Sequence, residues 1–250
     1  MADSIIDIKH ISKRFGEHIV LDDVSCHIEE GENLVLFGKS GTGKSVLLKC
    51  IVGLLTPDSG EIFVNGKNVL NFTFKELNSF RKEIGFLFQS AALYDSMSVR
   101  ENLAFPLIRN FNFTPDEIEK KVKTTLEMVS LSEAIDKMPA ELSGGMRKRI
   151  GLARSIITQP KIMFYDEPTT GLDPITTKEI SKLIRDLQRE LKMTSIAVTH
   201  DLICAQIIAD RSIVLRDGKL IFEGNMDALL SDKTPFLQNF FSPSLISDES

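Results

Sequence analysis

"NLVLFGKSGTGKSVLLKCIVGLL", residues 33–55, decides the fold of this chain. Leu34 to Phe37 form a short apolar run without alternation, the pattern of a strand buried on both faces of a parallel sheet. The segment from Gly38 to Ser45 then matches GxxxxGK[ST], and a helical pattern follows at once, so the motif stands between strand and helix as its function requires. Gly38, Gly41 and Gly43 let backbone N–H groups turn inward around phosphate oxygens, and the helix that follows adds its positive end. Lys44 is expected to reach the β- and γ-phosphates and Ser45 to ligate Mg²⁺. Lys39, Ser40, Thr42 and the following Val46 complete the nucleotide-binding stretch. A chance match to this pattern in a chain of this length is expected roughly once in a hundred.

Working outward, "SIIDIKHI" and "LDDVSCHI" alternate apolar and polar residues as half-buried antiparallel strands do, whereas "KIMFY" repeats the buried-strand pattern. Buried runs followed by Gly- or Pro-rich punctuation and then helical periodicity, as in "DPITTKEISKLIRDLQREL", are the rhythm of βα units. The expected fold class is α/β. Between residues 90 and 158 strand signals fade, and "TPDEIEKKVKTTLEMVSL" and "GGMRKRIGLARSIIT" read as helices, the first capped by Thr114 ahead of Pro115. This stretch reads as a helical subdomain inserted into a single domain spanning 1–231. Strands resume at "SIAV", "RSIVLR" and "KLIFEG", the last two joined by an Asp217-Gly218 turn. The tail, 232–250, places Phe236, Leu237, Phe240, Phe241 and Leu245 among polar residues; it reads either as a helix folded onto its own domain or as a docking segment for another chain.

Composition narrows the class. With 250 residues and 42% hydrophobic content the chain can bury a large core, and no stretch approaches the roughly 18 consecutive apolar residues of a spanning helix. The N-terminal stretch has no secretory pattern, so the chain is expected on the cytoplasmic side. Cys26, Cys50 and Cys204 lack disulfide or zinc-ligand spacing and are expected as buried thiols. A net charge of −5 offers no general reason to expect nucleic acid, although Arg147, Lys148 and Arg149 are locally basic.

Two further motifs carry chemistry. In "KIMFYDEP" a strand ends in adjacent carboxylates, Asp166 suited to the outer shell of the metal and Glu167 to polarising an attacking water. In "LSGGM" Ser143, Gly144 and Gly145 open a helix and form a second anion-binding end without a lysine. Two chains paired head to tail would let each supply that end to the ATP of the other.

Taken with the P-loop, these motifs make the chain resemble the ABC ATPase family over essentially its whole length. The resemblance implies a P-loop NTPase core with an antiparallel β subdomain and an inserted α-helical subdomain, hydrolysing ATP with Mg²⁺ as a homodimer. It implies that Phe15 stacks on adenine, although Phe15 also reads as a core strand residue. It implies that Gln89 senses Mg²⁺ and γ-phosphate, that Asp173 communicates across the dimer, and that His200 holds the γ-phosphate. Lys44, Gln89, Glu167 and His200 are then the catalytic set, and Ser45, Gln89 and Asp166 the metal set. A permease coupling helix is expected after Gln89, where Leu93, Tyr94 and Met97 form either an apolar groove or subdomain core.

"FQSAALYDSMSVRENLAFPL", Met146, "RKRIGLARSI" and the tail "DKTPFLQNFF" are similar to ATPase subunits of Mla-type (MCE) phospholipid transporters. That similarity implies multi-spanning permease subunits and an MCE-domain lipid-binding protein as partners, at the inner (plasma) membrane. The alternatives are an importer or exporter of another small solute, or a permease-free ABC ATPase acting on ribosomes or DNA. The last class is disfavoured by the single ATPase unit and the absence of heptads or zinc-ligand spacing.

Overall fold

The computed structural model describes residues 4–39 and 41–245, with side chains as far as Phe241. Ser40 of the nucleotide-binding stretch and the side chain of Leu245 therefore lie outside the described residues. The chain opens with β1 (Ser4–Phe15), β2 (His18–Glu29), β3 (Asn33–Phe37), α1 (Lys44–Ile51), β4 (Ser59–Val64) and β5 (Lys67–Asn68). It continues through α2 (Phe74–Lys82), β6 (Ile84–Leu87), α3 (Val99–Asn110), α4 (Pro115–Met128), α5 (Gly144–Ile156), β7 (Ile162–Asp166) and α6 (Pro174–Leu191). It closes with β8 (Thr194–Val198), α7 (Leu202–Ile208), β9 (Arg211–Arg216), β10 (Lys219–Gly224), α8 (Met226–Ser231) and α9 (Pro235–Leu245).

These elements group into two compact units, one formed by 1–71 with 197–250 and the other by 72–196. In the first, an antiparallel sheet runs β2-β1-β4-β5, and β3 pairs in parallel with β9, which pairs antiparallel with β10. Ile6, Ile8, Ile11, Val24 and Ile28 bury one face of the β1–β2 ribbon, as the alternation predicts. All five residues of β3 are buried, the outcome expected for a run without alternation. Asp217 and Gly218 both take left-handed backbone between β9 and β10, the geometry a two-residue type I′ hairpin demands.

In the second unit β6 and β7 are parallel neighbours. Its helices start on side-chain caps that satisfy orphan N–H groups. Thr73, Ser98 and Thr114 each accept from the backbone three residues on, while Glu76, Glu101 and Glu117 reach back. The Thr114-Pro115 start expected from sequence is one of these. The helices α2 and α3 were not singled out by sequence; α3 even carries Pro106 in its interior. Leu103, Leu107, Val122, Leu126, Ile150 and Leu152 are buried and give this unit its own core. Arg100 ties α3 to Glu119 and to Asp136, so the helical elements are also pinned electrostatically at the surface. All three cysteines are buried thiols, and burial pushes the Cys26 thiol up to about 12.

Candidate functional site

In the first unit the candidate phosphate loop follows β3 and is braced by backbone. A Cβ on Gly38 would lie 2.6 Å from the Leu215 carbonyl oxygen, and one on Gly43 would lie 2.6 Å from that of Val20. Gly43 also has φ 100, so both space and conformation demand glycine there. The Lys44 ammonium donates to the carbonyls of Gly38 at 2.7 Å and Lys39 at 2.9 Å. The same Lys39 oxygen accepts from the Thr42 hydroxyl at 2.9 Å and the Thr42 N–H at 3.3 Å. A largely buried ammonium on two carbonyls is a charge that phosphate oxygens can claim. Ser45 is exposed on the first turn of α1 and Val46 is half-buried.

Two other sequence-derived candidates lie in this unit. Phe15 ends β1 and is 51% exposed, with the Lys13 ammonium 5.6 Å from its ring centroid; it is not a core residue. His200 follows β8 and is exposed. Its neighbours are anchored: Thr199 donates its N–H to the Leu36 carbonyl at 3.4 Å, and the Thr199 hydroxyl oxygen accepts from Asp201 N–H at 3.0 Å. Asp201 in turn caps α7.

The second unit carries the other candidates. Asp166 ends β7, and Glu167 beside it has φ 50. A non-glycine residue held in left-handed backbone costs on the order of 1–3 kcal/mol, and such strain collects at functional positions. The Glu167 carboxylate accepts from the Thr170 hydroxyl at 3.2 Å. Ser143 caps α5 by accepting from Met146 N–H at 3.3 Å, leaving its exposed hydroxyl beside the first N–H groups of the helix. A Cβ on Gly145 would meet the Thr176 methyl at 3.0 Å, so the "SGG" start packs close to the start of α6. Asp173 caps that helix, accepting from the N–H groups of Ile175 and Thr176 at 3.0 Å each and from the Thr176 hydroxyl at 2.6 Å. The Thr176 hydroxyl, followed by these backbone donors, holds the Asp173 carboxyl below its ordinary value.

Sequence reading missed Lys148. Only 6% exposed, it donates to the Gln89 carbonyl at 2.5 Å and to the Glu167 carbonyl at 3.2 Å, and so joins two candidate catalytic segments through their backbones. Consecutive residues on a helix point about 100° apart, and the basic trio accordingly divides. Arg147 is exposed, Lys148 turns inward, and Arg149 pairs with Glu179 at 2.9 Å.

Beyond Gln89, which is exposed just after β6, a cavity of about 260 Å³ is lined by Arg81, Phe86, Tyr94, Phe105, Phe111 and Arg154, among others. Tyr94 and Phe105 pack with ring centroids 5.0 Å apart. Arg154 donates to the carbonyls of Ala91 and Ala92, which sit in left-handed backbone, and so fixes the turn that presents Tyr94. Of the three residues expected to form an apolar groove, Tyr94 lines this cavity and Leu93 and Met97 are half-buried; Phe86 of β6, Phe105 of α3 and Phe111 just after α3 supply the other aromatic walls.

Comparison with known proteins agrees with these motifs. The family described as ABC transporter matches residues 21–170. The chain is 39% identical over 237 residues to the probable ribonucleotide transport ATP-binding protein mkl of Mycobacterium leprae, covering 95% of this chain and 68% of that one. It is 38% identical over 233 residues to the intermembrane phospholipid transport system ATP-binding protein MlaF of Haemophilus influenzae, covering 93% of this chain and 88% of that protein. Among solved structures, the dimeric post-hydrolysis state of the ATP-binding cassette MJ0796, bound to ADP and Pi, matches with a TM-score of 0.79 and 32% identity, covering 88% of this chain and 98% of that one.

Proposed function

Because the chain belongs to the ABC transporter ATPase family, we propose that it is the ATP-hydrolysing motor of a transporter that moves phospholipid with a separate membrane permease. The observation that carries the motor is the loop in which glycine is enforced at Gly38 and Gly43 and the Lys44 ammonium rests on two carbonyls. Gly38 to Val46 cradle the phosphates, Lys44 carries their charge, and Phe15 offers an exposed ring to the base. Glu167 polarises the attacking water, and His200 and Gln89 contact the γ-phosphate. Ser143, Gly144 and Gly145 meet the nucleotide of a second copy, with Asp173 holding the helix that follows the catalytic strand. A dimer bound to ADP and Pi is the state described for the MJ0796 cassette.

No group of three or more His, Cys, Asp or Glu side chains suited to a metal occurs among the described residues. The candidate donors Ser45, Gln89 and Asp166 hold one carboxylate, a set that fits Mg²⁺, which takes few protein ligands and completes its shell with phosphate oxygens and water. When bound, the ion neutralises charge on the β- and γ-phosphate oxygens.

No helix among the described residues is long and apolar enough to cross a membrane. The membrane contact proposed is through a permease, on the cytoplasmic side, at the aromatic cavity that Tyr94 lines. The similarity to MlaF, named for intermembrane phospholipid transport, extends over 88% of that protein and supports phospholipid as the cargo; an MCE-domain protein is the further partner proposed. The similarity to mkl, named for ribonucleotide transport, favours another small solute as the second reading.

The test is to tag the Glu167→Gln variant, recover it with ATP from solubilised native membranes, and identify what accompanies it by mass spectrometry. A multi-spanning permease with an MCE-domain protein and phospholipid is the expected result. A different permease would replace the cargo, and ribosomes or DNA-bound proteins alone would overturn the transporter reading.

A further inference from the structure

The helix α9 packs onto its own chain, and it packs beside the phosphate loop. Leu237 and Phe241 are 2% and 3% exposed, and Phe241 meets Phe37 edge-on with centroids 5.2 Å apart. Phe37 is the last residue of β3, immediately before Gly38. On the same helix, Phe236 lies under two cations: Arg216 at 4.2 Å and the Lys39 ammonium at 5.7 Å from the ring centroid. Arg216 follows Leu215, whose carbonyl is the atom a Cβ on Gly38 would strike. The ring thus holds a side chain from each side of the backbone approach that shapes the loop, and its quadrupole attracts both cations where they would otherwise repel each other.

From this geometry we propose that Phe236 is a positioning residue for nucleotide binding: it holds Lys39, whose carbonyl receives the Lys44 ammonium and both Thr42 donors. The proposal rests on the reading of Gly38–Ser45 as the phosphate loop. Phe236 acts by pre-ordering, so that less loop freedom is lost when nucleotide enters. It is not placed to touch reacting atoms, so affinity rather than the chemical step should depend on it. An exposed cation–π contact is worth a factor of about two to five in an equilibrium constant, so losing both weakens binding by about three- to tenfold once partial replacement by solvent is allowed for.

The full chain is titrated with a fluorescent ATP analogue and assayed for steady-state ATP hydrolysis. Phe236→Ala and Phe236→Leu are expected to raise Kd and KM by about three- to tenfold with kcat within about twofold, and Phe236→Tyr, which keeps the ring, is expected to restore both. Combining Phe236→Ala with Lys39→Met should give less than the sum of the two effects, because the ring acts through that side chain. The proposal is overturned if Phe236→Leu binds as tightly as the parent, if the double variant is additive, or if kcat and melting temperature fall together while KM stays. Lys44→Ala is the control for the underlying reading: undiminished binding there would overturn the phosphate-loop assignment itself, whereas lost binding there with unchanged Phe236 variants overturns only the role of the tail.

Discussion

Replacing Lys148 with Met tests whether the buried lysine organises the candidate catalytic segments. Met keeps most of the apolar stem of Lys148 and removes the ammonium that bridges the Gln89 and Glu167 carbonyls. A hydrogen bond from a charged donor is worth about 1.5–3 kcal/mol, and the cost of burying the lysine offsets part of the two. The net destabilisation should therefore be about 2–3 kcal/mol. The larger consequence falls on Glu167, whose φ of 50 is held by its surroundings, including the Lys148 bond and the turn to Thr170 N–H. Backbone strain of about 1–3 kcal/mol is then free to relax, which misplaces the carboxylate. With about 1.4 kcal/mol per tenfold in rate, kcat should fall by about 10- to 100-fold. The assay is phosphate release at saturating ATP, run beside a fluorescent-nucleotide titration that should move by less than about threefold. Lys148→Arg, which keeps charge but changes shape, should fall between Met and the parent. A kcat within twofold of the parent in a folded Lys148→Met protein would refute the reasoning.

Three other outcomes follow from the same geometry. Gly43→Ala must fit a methyl 2.6 Å from the Val20 carbonyl at φ 100, so it should abolish nucleotide binding and lower stability by about 1–3 kcal/mol, read by titration and denaturant unfolding. Tyr94→Ala removes an aromatic wall of the cavity beside Arg154 and should weaken co-purification with the permease without changing nucleotide affinity; equal loss of both would contradict a docking role. The carboxyls of Glu101, Glu117 and Asp173 lie below their ordinary values because Ser98, Thr114 and Thr176 donate to them. Their contribution to stability is therefore complete above the ordinary carboxylate range of about 4 and is lost as pH falls through the lower folded values. A melting temperature that drops below about pH 4, and drops less in Glu101→Gln with Glu117→Gln, is the expected result.

Much of the candidate site was legible because it is local. A strand, a glycine loop and a helix start follow one another within residues 33–51, so the candidate phosphate cradle is written in contiguous residues. The same holds for Asp166-Glu167 at the end of β7, for Ser143 as a helix cap, and for the Asp217-Gly218 turn. Helices α2 and α3 were harder to read. Both carry capping boxes, but α3 contains a proline, and its exposed Phe105 and Ile108 blur the apolar stripe.

What the sequence by itself determined was the set of chemical groups and the local turns that present them, since those depend on neighbours a few residues apart. What only the tertiary structure decided was who supports them. Lys148 turns inward from a basic trio because helix rotation sends its neighbours elsewhere, and it finds carbonyls 59 and 19 residues away in sequence. Phe15 is exposed rather than core, and Phe236 reaches Lys39 from the far end of the chain. Such contacts join positions with no common periodicity or spacing, and packing alone brings them within a few ångströms.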